Sequence, residues 1–339
     1  MLLTALRARL IFLLWVVAGC GSDQTMSSLP PDPEGLWTAS ASPSAIVRLA
    51  PEQLSGTGDR VPATTLTTPS ARIQTLFGVA FDPNGELWIT SADDNLLLAF
   101  GPGALTSSGF KAATTVIGPN AGSLTTPTGL AFDPAHRLWV ANHDNGTLVR
   151  FDGAQLAVGG APVPAVMLSG LGHPTSLAFD ADGSLWVSDN VAQTIAKYRA
   201  TDLTVSGSPA PAVVLTENNN ASPLPLGLAF GADGNLWVAN LQARNVVAFS
   251  PAQLAVTGAP TPQVVLSSTD GSLALPVGLA FDAEGSLWVV GGAGSLTKFA
   301  RTSLGASGAP EPSARLTIAG HQVLWSAAFW PRPAGLPLN

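Results

Sequence analysis

A closed ring of six four-stranded antiparallel sheets, an all-β fold, is what the sequence predicts, and three observations predict it. A tryptophan recurs at Trp37, Trp88, Trp139, Trp186, Trp237 and Trp288, at intervals of 51, 51, 47, 51 and 51 residues. The string GLAFDAEGSLWVV at residues 278–290 returns in near-identical form as GVAFDPNGELWIT, GLAFDPAHRLWVA, SLAFDADGSLWVS and GLAFGADGNLWVA. Every copy reads as short apolar runs broken by turn residues, with no helical period. Four short strands in a repeat of this length define a β-propeller blade.

The elements follow in chain order. MLLTALRARL carries Arg7 and Arg9, and the apolar run LIFLLWVVAG leads to small residues and Cys20. That run is too short to span a bilayer, and basic flank, apolar core and small residues together read as a secretory signal. Residues 17–20, VAGC, resemble the bacterial lipobox, which implies cleavage before Cys20 and lipid on its thiol. The expected organisation is a lipoprotein signal peptide at 1–19, a polar, proline-bearing tether at 20–31 and the propeller at 32–339. Gly21 and Ser22 lack the aspartate that would retain a lipoprotein at the inner membrane, so the expected location is the cell envelope, anchored in the outer membrane.

Cys20 is the sole cysteine, so the remaining chain has no thiol for a disulfide, a Cys-based metal site or a nucleophile. Without Arg7 and Arg9, 13 basic residues face 22 acidic ones, a net charge of −9 with histidine neutral. Phosphate contacts need clustered Lys and Arg, so nucleic acid is not an expected partner. Charged residues make up 11%, under half the usual share, which suits sheets covered on both faces.

Within a unit, GLAF is the first strand and Asp-x-x-Gly its turn, where Asp bonds its own backbone and Gly takes positive φ. LWVA is the second strand, runs such as TLVRF and VVAF the third, and AVVL or QVVL the fourth after a Pro/Gly-rich connection. The ends of the chain predict how the ring closes. The AF pair occurs at Phe81, Phe132, Phe179, Phe230, Phe281 and finally Phe329, whereas no such pair precedes Trp37. The strand around Phe329 should therefore complete the N-terminal blade and remove the open edges of a linear array.

In such a blade the loops between second and third strands and those between blades share a face. From the last aliphatic position of each unit to the next AF phenylalanine the spacing is 15, 15, 11, 15, 15 and 13 residues, so length variation concentrates on that face. Variation confined to one face marks a binding surface. Its second-to-third loops hold Asp93 and Asp94; Asn142, His143 and Asp144; Asp189 and Asn190; Asn240 and Arg244. Its between-blade loops add Asn120, His173, Glu217 with Asn218 to Asn220, Asp270 and His321. Singly, Asn and Asp there serve turn geometry; together they could offer oxygens to a cation or a sugar. The Trp and Phe residues keep constant register, which points to packing between blades rather than ligand platforms. Ser295-Leu296-Thr297-Lys298 has no partner motif, and the four histidines lack metal-ligand spacing.

The string P-x-G-L-A-F-D-x-x-G-x-L-W-V-x-N, at residues 127–142 and 225–240, resembles NHL-type repeats. It is similar also to the wider group of SMP-30/gluconolactonase-like and virginiamycin B lyase-like propellers. For the lactonase-like members the resemblance implies a divalent cation at the channel mouth, held by a Glu near the start and by an Asn and an Asp just before strand-opening glycines. Here Phe77, Thr128, Leu226 and Val277 precede those glycines and Thr175 precedes Ser176, while Glu34 falls in the register of a turn on the other face. The expectation is a monomeric binding module without catalytic residues, its ligand a protein or glycan. The alternative is a hydrolase or lyase using Ca²⁺ or another divalent cation, with Asp94, Asp144 and Asp189 as carboxylates.

Overall fold

The computed structural model describes residues 33–68, 75–216 and 223–336; the expected signal segment, Cys20, the tether, Glu217 and Asn218 to Asn220 lie outside the described residues. Residues Asp32–Asn339 group into one compact unit. It consists of six sheets, each with four antiparallel strands at its heart.

Blade 3 shows the plan: Pro127–Phe132 innermost, then Leu138–Asn142, Thr147–Phe151 and Val166–Leu168. The innermost strands of blades 2, 4, 5 and 6 are Leu76–Phe81, Pro174–Phe179, Pro225–Phe230 and Pro276–Phe281. Blade 1 is built from both ends of the chain, Val323–Trp330 pairing antiparallel with Gly35–Ser42. Phe329 faces Leu36 and Ala328 faces Trp37, the register in which Phe132 faces Leu138 and Ala131 faces Trp139. The predicted ring closure is therefore the one that forms.

The repeated Asp and Trp are partners. In blade 3, Asp133 Oδ1 accepts the backbone N–H groups of Ala135 and Arg137 at 2.9 and 3.0 Å, which makes the turn. Its Oδ2 accepts the indole N–H of Trp139 at 3.1 Å. The same indole bond links Trp186 to Asp180 and Trp288 to Asp282, both at 3.0 Å. In these three blades a carboxylate thus ties the turn to a tryptophan that is otherwise sealed from water. Each of four tryptophans then meets the AF phenylalanine of the next blade edge-on: Trp37–Phe81, Trp186–Phe230, Trp237–Phe281 and Trp288–Phe329, with centroids 6.2–6.3 Å apart. The aromatic register is core packing between blades.

The glycine that opens the repeat has a second physical reason. A Cβ on Gly129 would lie 2.6 Å from Thr175 O and 2.8 Å from Ser176 Cα, and one on Gly227 2.7 Å from Val277 O. Adjacent innermost strands approach so closely around the axis that no side chain fits between them. Where the position carries Ser176, its N–H donates to Ser188 Oγ at 3.0 Å, and Ser188 in turn donates to Leu226 O of blade 5 at 2.7 Å.

Two features add to the sequence-based expectation. The third-to-fourth connections, read from the sequence only as Pro/Gly-rich, hold short helical turns: Pro51–Gln53, Pro102–Thr106, Gly153–Val158, Ala200–Leu203, Gln253–Ala255 and Arg301–Ser303. Single turns are too short to announce themselves by periodicity, and burial of Leu105, Leu156, Leu203 and Leu254 holds them. The outer edges, moreover, are not left bare. Each connection bends back to bridge the outer strand of the preceding blade in parallel, as in Ile117 to Gly160, Leu168 to Gly207, Leu215 to Gly258 and Leu266 to Gly308. Gly56–Arg60 does this for blade 6 and Gly109–Phe110 for blade 1. The ring therefore has a second, outer belt that covers all six edges.

Candidate ligand-binding site

The innermost strands surround a central channel with a volume of about 480 Å³, within the range of small-molecule sites. The third residue before each Ala-Phe pair, or its equivalent, forms the upper ring of its wall: Trp325, Phe77, Thr128, Thr175, Leu226 and Val277, from blades 1 to 6 in order. The ring is divided into sectors. Phe77 and Trp325 pack with centroids 4.5 Å apart and planes tilted by 33°. Thr128 and Thr175 supply hydroxyls from blades 3 and 4, and Leu226 and Val277 are aliphatic.

The mouth on the variable face is built by the second-to-third loops, and register decides which loop residue reaches it. The residue three after the motif tryptophan ends the second strand and turns into its own loop. Asn142, fully buried, donates to Thr147 Oγ1 and Ser123 O, both at 3.0 Å, and accepts the Thr125 N–H at 3.1 Å. Asp189 accepts three backbone N–H groups, from His173 at 2.8 Å, Val191 at 3.0 Å and Ala192 at 2.7 Å. Asn240, also fully buried, donates to Asn245 Oδ1 at 3.0 Å. These three are loop-forming groups.

The residue four after the tryptophan faces the channel instead: His143, Asn190 and Leu241 all line it. Asp144, one further along, joins them. It accepts from Thr126 Oγ1 at 2.6 Å and pairs with His143 Nδ1 at 2.8 Å. The His143 hydrogen bond foremost, then that of Thr126, holds the Asp144 carboxyl below the usual carboxylate range against the opposing effect of burial. His173 packs on His143 with ring centroids 5.0 Å apart. The Asn190 Oδ1 is buried and has no hydrogen-bond partner among the described residues, and the same holds for Trp325 Nε1 in the channel wall.

The other expected residues lie elsewhere. Asp93 accepts from Thr75 Oγ1 at 2.6 Å and Asp94 from Ser91 Oγ at 3.0 Å, outside the channel lining. Arg244 is exposed in a turn at φ 54°. Asn120 bonds Ala161 O at 2.7 Å, Asp270 is paired with Arg315 on the outer flank of blade 6, and His321 is buried outside the channel lining. Sequence reasoning missed Trp325 and the floor. Trp325 stands four residues before Phe329 as Phe77 does before Phe81, so counting alone would have found it.

The floor comes from the chain end. After the closing strand, Arg332, Pro333 and Leu336 cross beneath the channel and line it. Trp330 packs on Phe81 with centroids 5.1 Å apart, and Leu336 joins the apolar cluster of Phe281 and Leu279. The channel is thus bounded below by a segment that adds Arg332, and it carries His143, Asp144 and Asn190 above.

A divalent cation of the lactonase-like kind does not fit these residues. Among the described residues no three His, Cys, Asp or Glu side chains converge to hold an ion. Of Asp94, Asp144 and Asp189, only Asp144 lines the channel, and the Asp189 oxygens already accept backbone N–H groups. Hard-cation sites need several oxygens at once.

These features define a six-bladed β-propeller with a mouth-and-floor channel. No protein-family model matches the chain, and no curated protein does. Solved structures do. A chain of the nidogen/laminin complex aligns with TM-score 0.59 and 13% identity over 86% of this chain and 96% of that one. Virginiamycin B lyase from Staphylococcus aureus aligns with TM-score 0.53 and 13% identity, over 82% and 84%. A protein of unknown function from Bacteroides caccae aligns with TM-score 0.56 and 11% identity, over 85% and 99%. At such identities the likeness is one of fold, and it spans a lyase and a protein of an interaction complex.

Proposed function

We propose that this protein is a lipid-anchored binding module of the cell envelope, without catalytic activity, that takes a small ligand into the central channel from the variable face. The observation that carries this reading is the channel itself: about 480 Å³, walled by innermost strands, floored by the C-terminal segment and carrying Asp144, His143 and Asn190 at its upper mouth. Anchoring rests on the lipobox-like sequence ending at Cys20 and on the polar segment after it, which would hold the propeller off the bilayer of the outer membrane. A protein or glycan partner, the broader expectation, would sit on the same face, where the between-blade loops differ in length.

Two measurements test it. Wild type should take up a palmitate label and sediment with membranes, and Cys20→Ser should do neither; a soluble, unlabelled wild type would remove the anchor. Small apolar compounds should raise the melting temperature of the wild type but not of Leu226→Trp, which fills the channel. Equal shifts in both would place binding elsewhere, and turnover of lactones in the presence of Ca²⁺ or Mn²⁺ would overturn the non-catalytic reading.

A further inference from the structure

We infer that the channel is a site for a flat aromatic amine, its ring against Phe77 and Trp325 and its ammonium at Asp144 and Asn190. This rests on the channel being the ligand site and adds the chemical class.

The wall selects shape. Phe77 and Trp325, from adjacent blades, are tilted by only 33° and present a broad aromatic surface at one side of the upper ring. Their neighbours around the ring are aliphatic on one side, Val277 and Leu226, and small hydroxyls on the other, Thr128 and Thr175. An aromatic ring gains from an offset or tilted partner beyond simple burial of area.

The mouth selects charge. Among the described residues it carries one carboxylate, Asp144, whose side chain is 57% exposed, so it remains open to a ligand although Thr126 and His143 both donate to it. Those donors keep it ionised. Also in the lining, from the next blade, the Asn190 carbonyl oxygen is buried without a donor among the described residues, a state that costs free energy until a donor arrives. A carboxylate and an unfilled carbonyl at one mouth offer acceptors to a group with several N–H bonds, and an ammonium has three. Among the described residues the lining holds one guanidinium, Arg332, at the opposite end on the floor, and no Lys or Arg beside Asp144; the imidazoles of His143 and His173 are the neighbouring basic groups.

The test uses the full chain carrying Cys20→Ser, purified unlipidated, and three matched probes: 2-naphthylmethylamine, 2-naphthylmethanol and 2-naphthoate, with affinities from calorimetry. The amine should bind at least about tenfold more tightly than the alcohol, one decade per charge-assisted bond gained, and the acid most weakly. Asp144→Asn should erase the amine's advantage and leave the alcohol unchanged, whereas Trp325→Ala should weaken amine and alcohol alike. If all three probes bind equally, or the acid binds best, the amine assignment is overturned while the channel remains a binding site. If none binds, the reading of the channel as a ligand site falls, and the amine assignment with it.

Discussion

The indole N–H of Trp288 donates to Asp282 Oδ2 at 3.0 Å, and the Lys298 ammonium closes on the same oxygen at 2.7 Å while lying 5.5 Å from the Trp288 ring centroid. One carboxylate therefore joins a turn, the core tryptophan of the second strand and a cation of the third. Blade 4 repeats the arrangement with Asp180, Trp186 and Lys197. Two of the three lysines in the sequence, in an acidic chain, are held in this way.

Removing the carboxylate leaves a buried indole N–H unsatisfied and a largely buried ammonium with only the exposed Glu284 carboxylate, 3.9 Å away, to face. Asp282→Ala should destabilise the protein by about 3 kcal/mol, the cost of breaking a largely buried pair. Asp282→Asn keeps a carbonyl for the turn and should cost less. Denaturant unfolding measures both; an Ala variant within error of wild type would show that the network contributes nothing.

Gly129 sits where innermost strands nearly touch, its would-be Cβ 2.6 Å from a backbone oxygen of the next blade. Gly129→Ala has to force two blades apart and should cost about 3 kcal/mol, at the upper end of overpacking penalties. Gly103 has nothing within 4 Å of such a Cβ. Gly103→Ala should be neutral or slightly stabilising, because it only restricts the unfolded chain. Equal effects from the two would contradict the close approach at the axis.

Ring closure and channel floor are separable by truncation. Ending the chain after Trp330 keeps the closing strand and removes Arg332, Pro333 and Leu336; the protein should fold, with a melting temperature lowered by several degrees. Ending it before Val323 strips the innermost strand from blade 1 and should prevent cooperative folding, visible as loss of the near-ultraviolet circular dichroism of the buried tryptophans. A folded protein from the shorter chain would mean that the ring tolerates an open blade.

The pH dependence should have two limbs. Burial pushes the His321 imidazole below its ordinary value of 6.5. The unfolded chain then takes up that proton before the folded one does, so stability falls as pH drops below 6.5 toward the folded value. At Asp282 burial raises the pKa, but the bonds from Lys298, Trp288 and Ser286 outweigh it and the net shift is downward; Asp144 is likewise depressed. Their stabilisation is present above their ordinary value of 3.8 and is lost as pH falls through the folded values. His321→Leu should flatten the melting temperature between pH 7 and pH 5 and leave the acid limb unchanged. A wild-type profile already flat in that interval would show that His321 titrates alike in both states.

The outer belt shows how legible signals can be passed over. A Ser-Gly or Thr-Gly pair stands in nearly the same register after each tryptophan: Thr57-Gly58, Ser108-Gly109, Ser206-Gly207, Thr257-Gly258 and Ser307-Gly308, with Gly159-Gly160 in blade 3. In the fold each glycine pairs with the outer strand of the preceding blade, and the hydroxyl before it often accepts a further N–H, as Ser206 does from Met167 at 3.0 Å. The dipeptide is visible in the sequence; its partner, about 40 residues earlier or, for Gly58, at Leu316 near the other end of the chain, is not.

By itself the sequence determined the number of blades, the order of strands, the aromatic packing and the closure of the ring, because each depends on residues that keep one register through every copy. Only the tertiary structure decided the site. Asn142 and His143 are neighbours in the chain, yet the first closes its own loop and the second faces the channel, since a strand end turns successive side chains in different directions and the nearest backbone N–H groups claim whichever oxygen they can reach. The aromatic side of the channel likewise joins Phe77 to Trp325, 248 positions apart in the sequence, and only the closing strand brings them together.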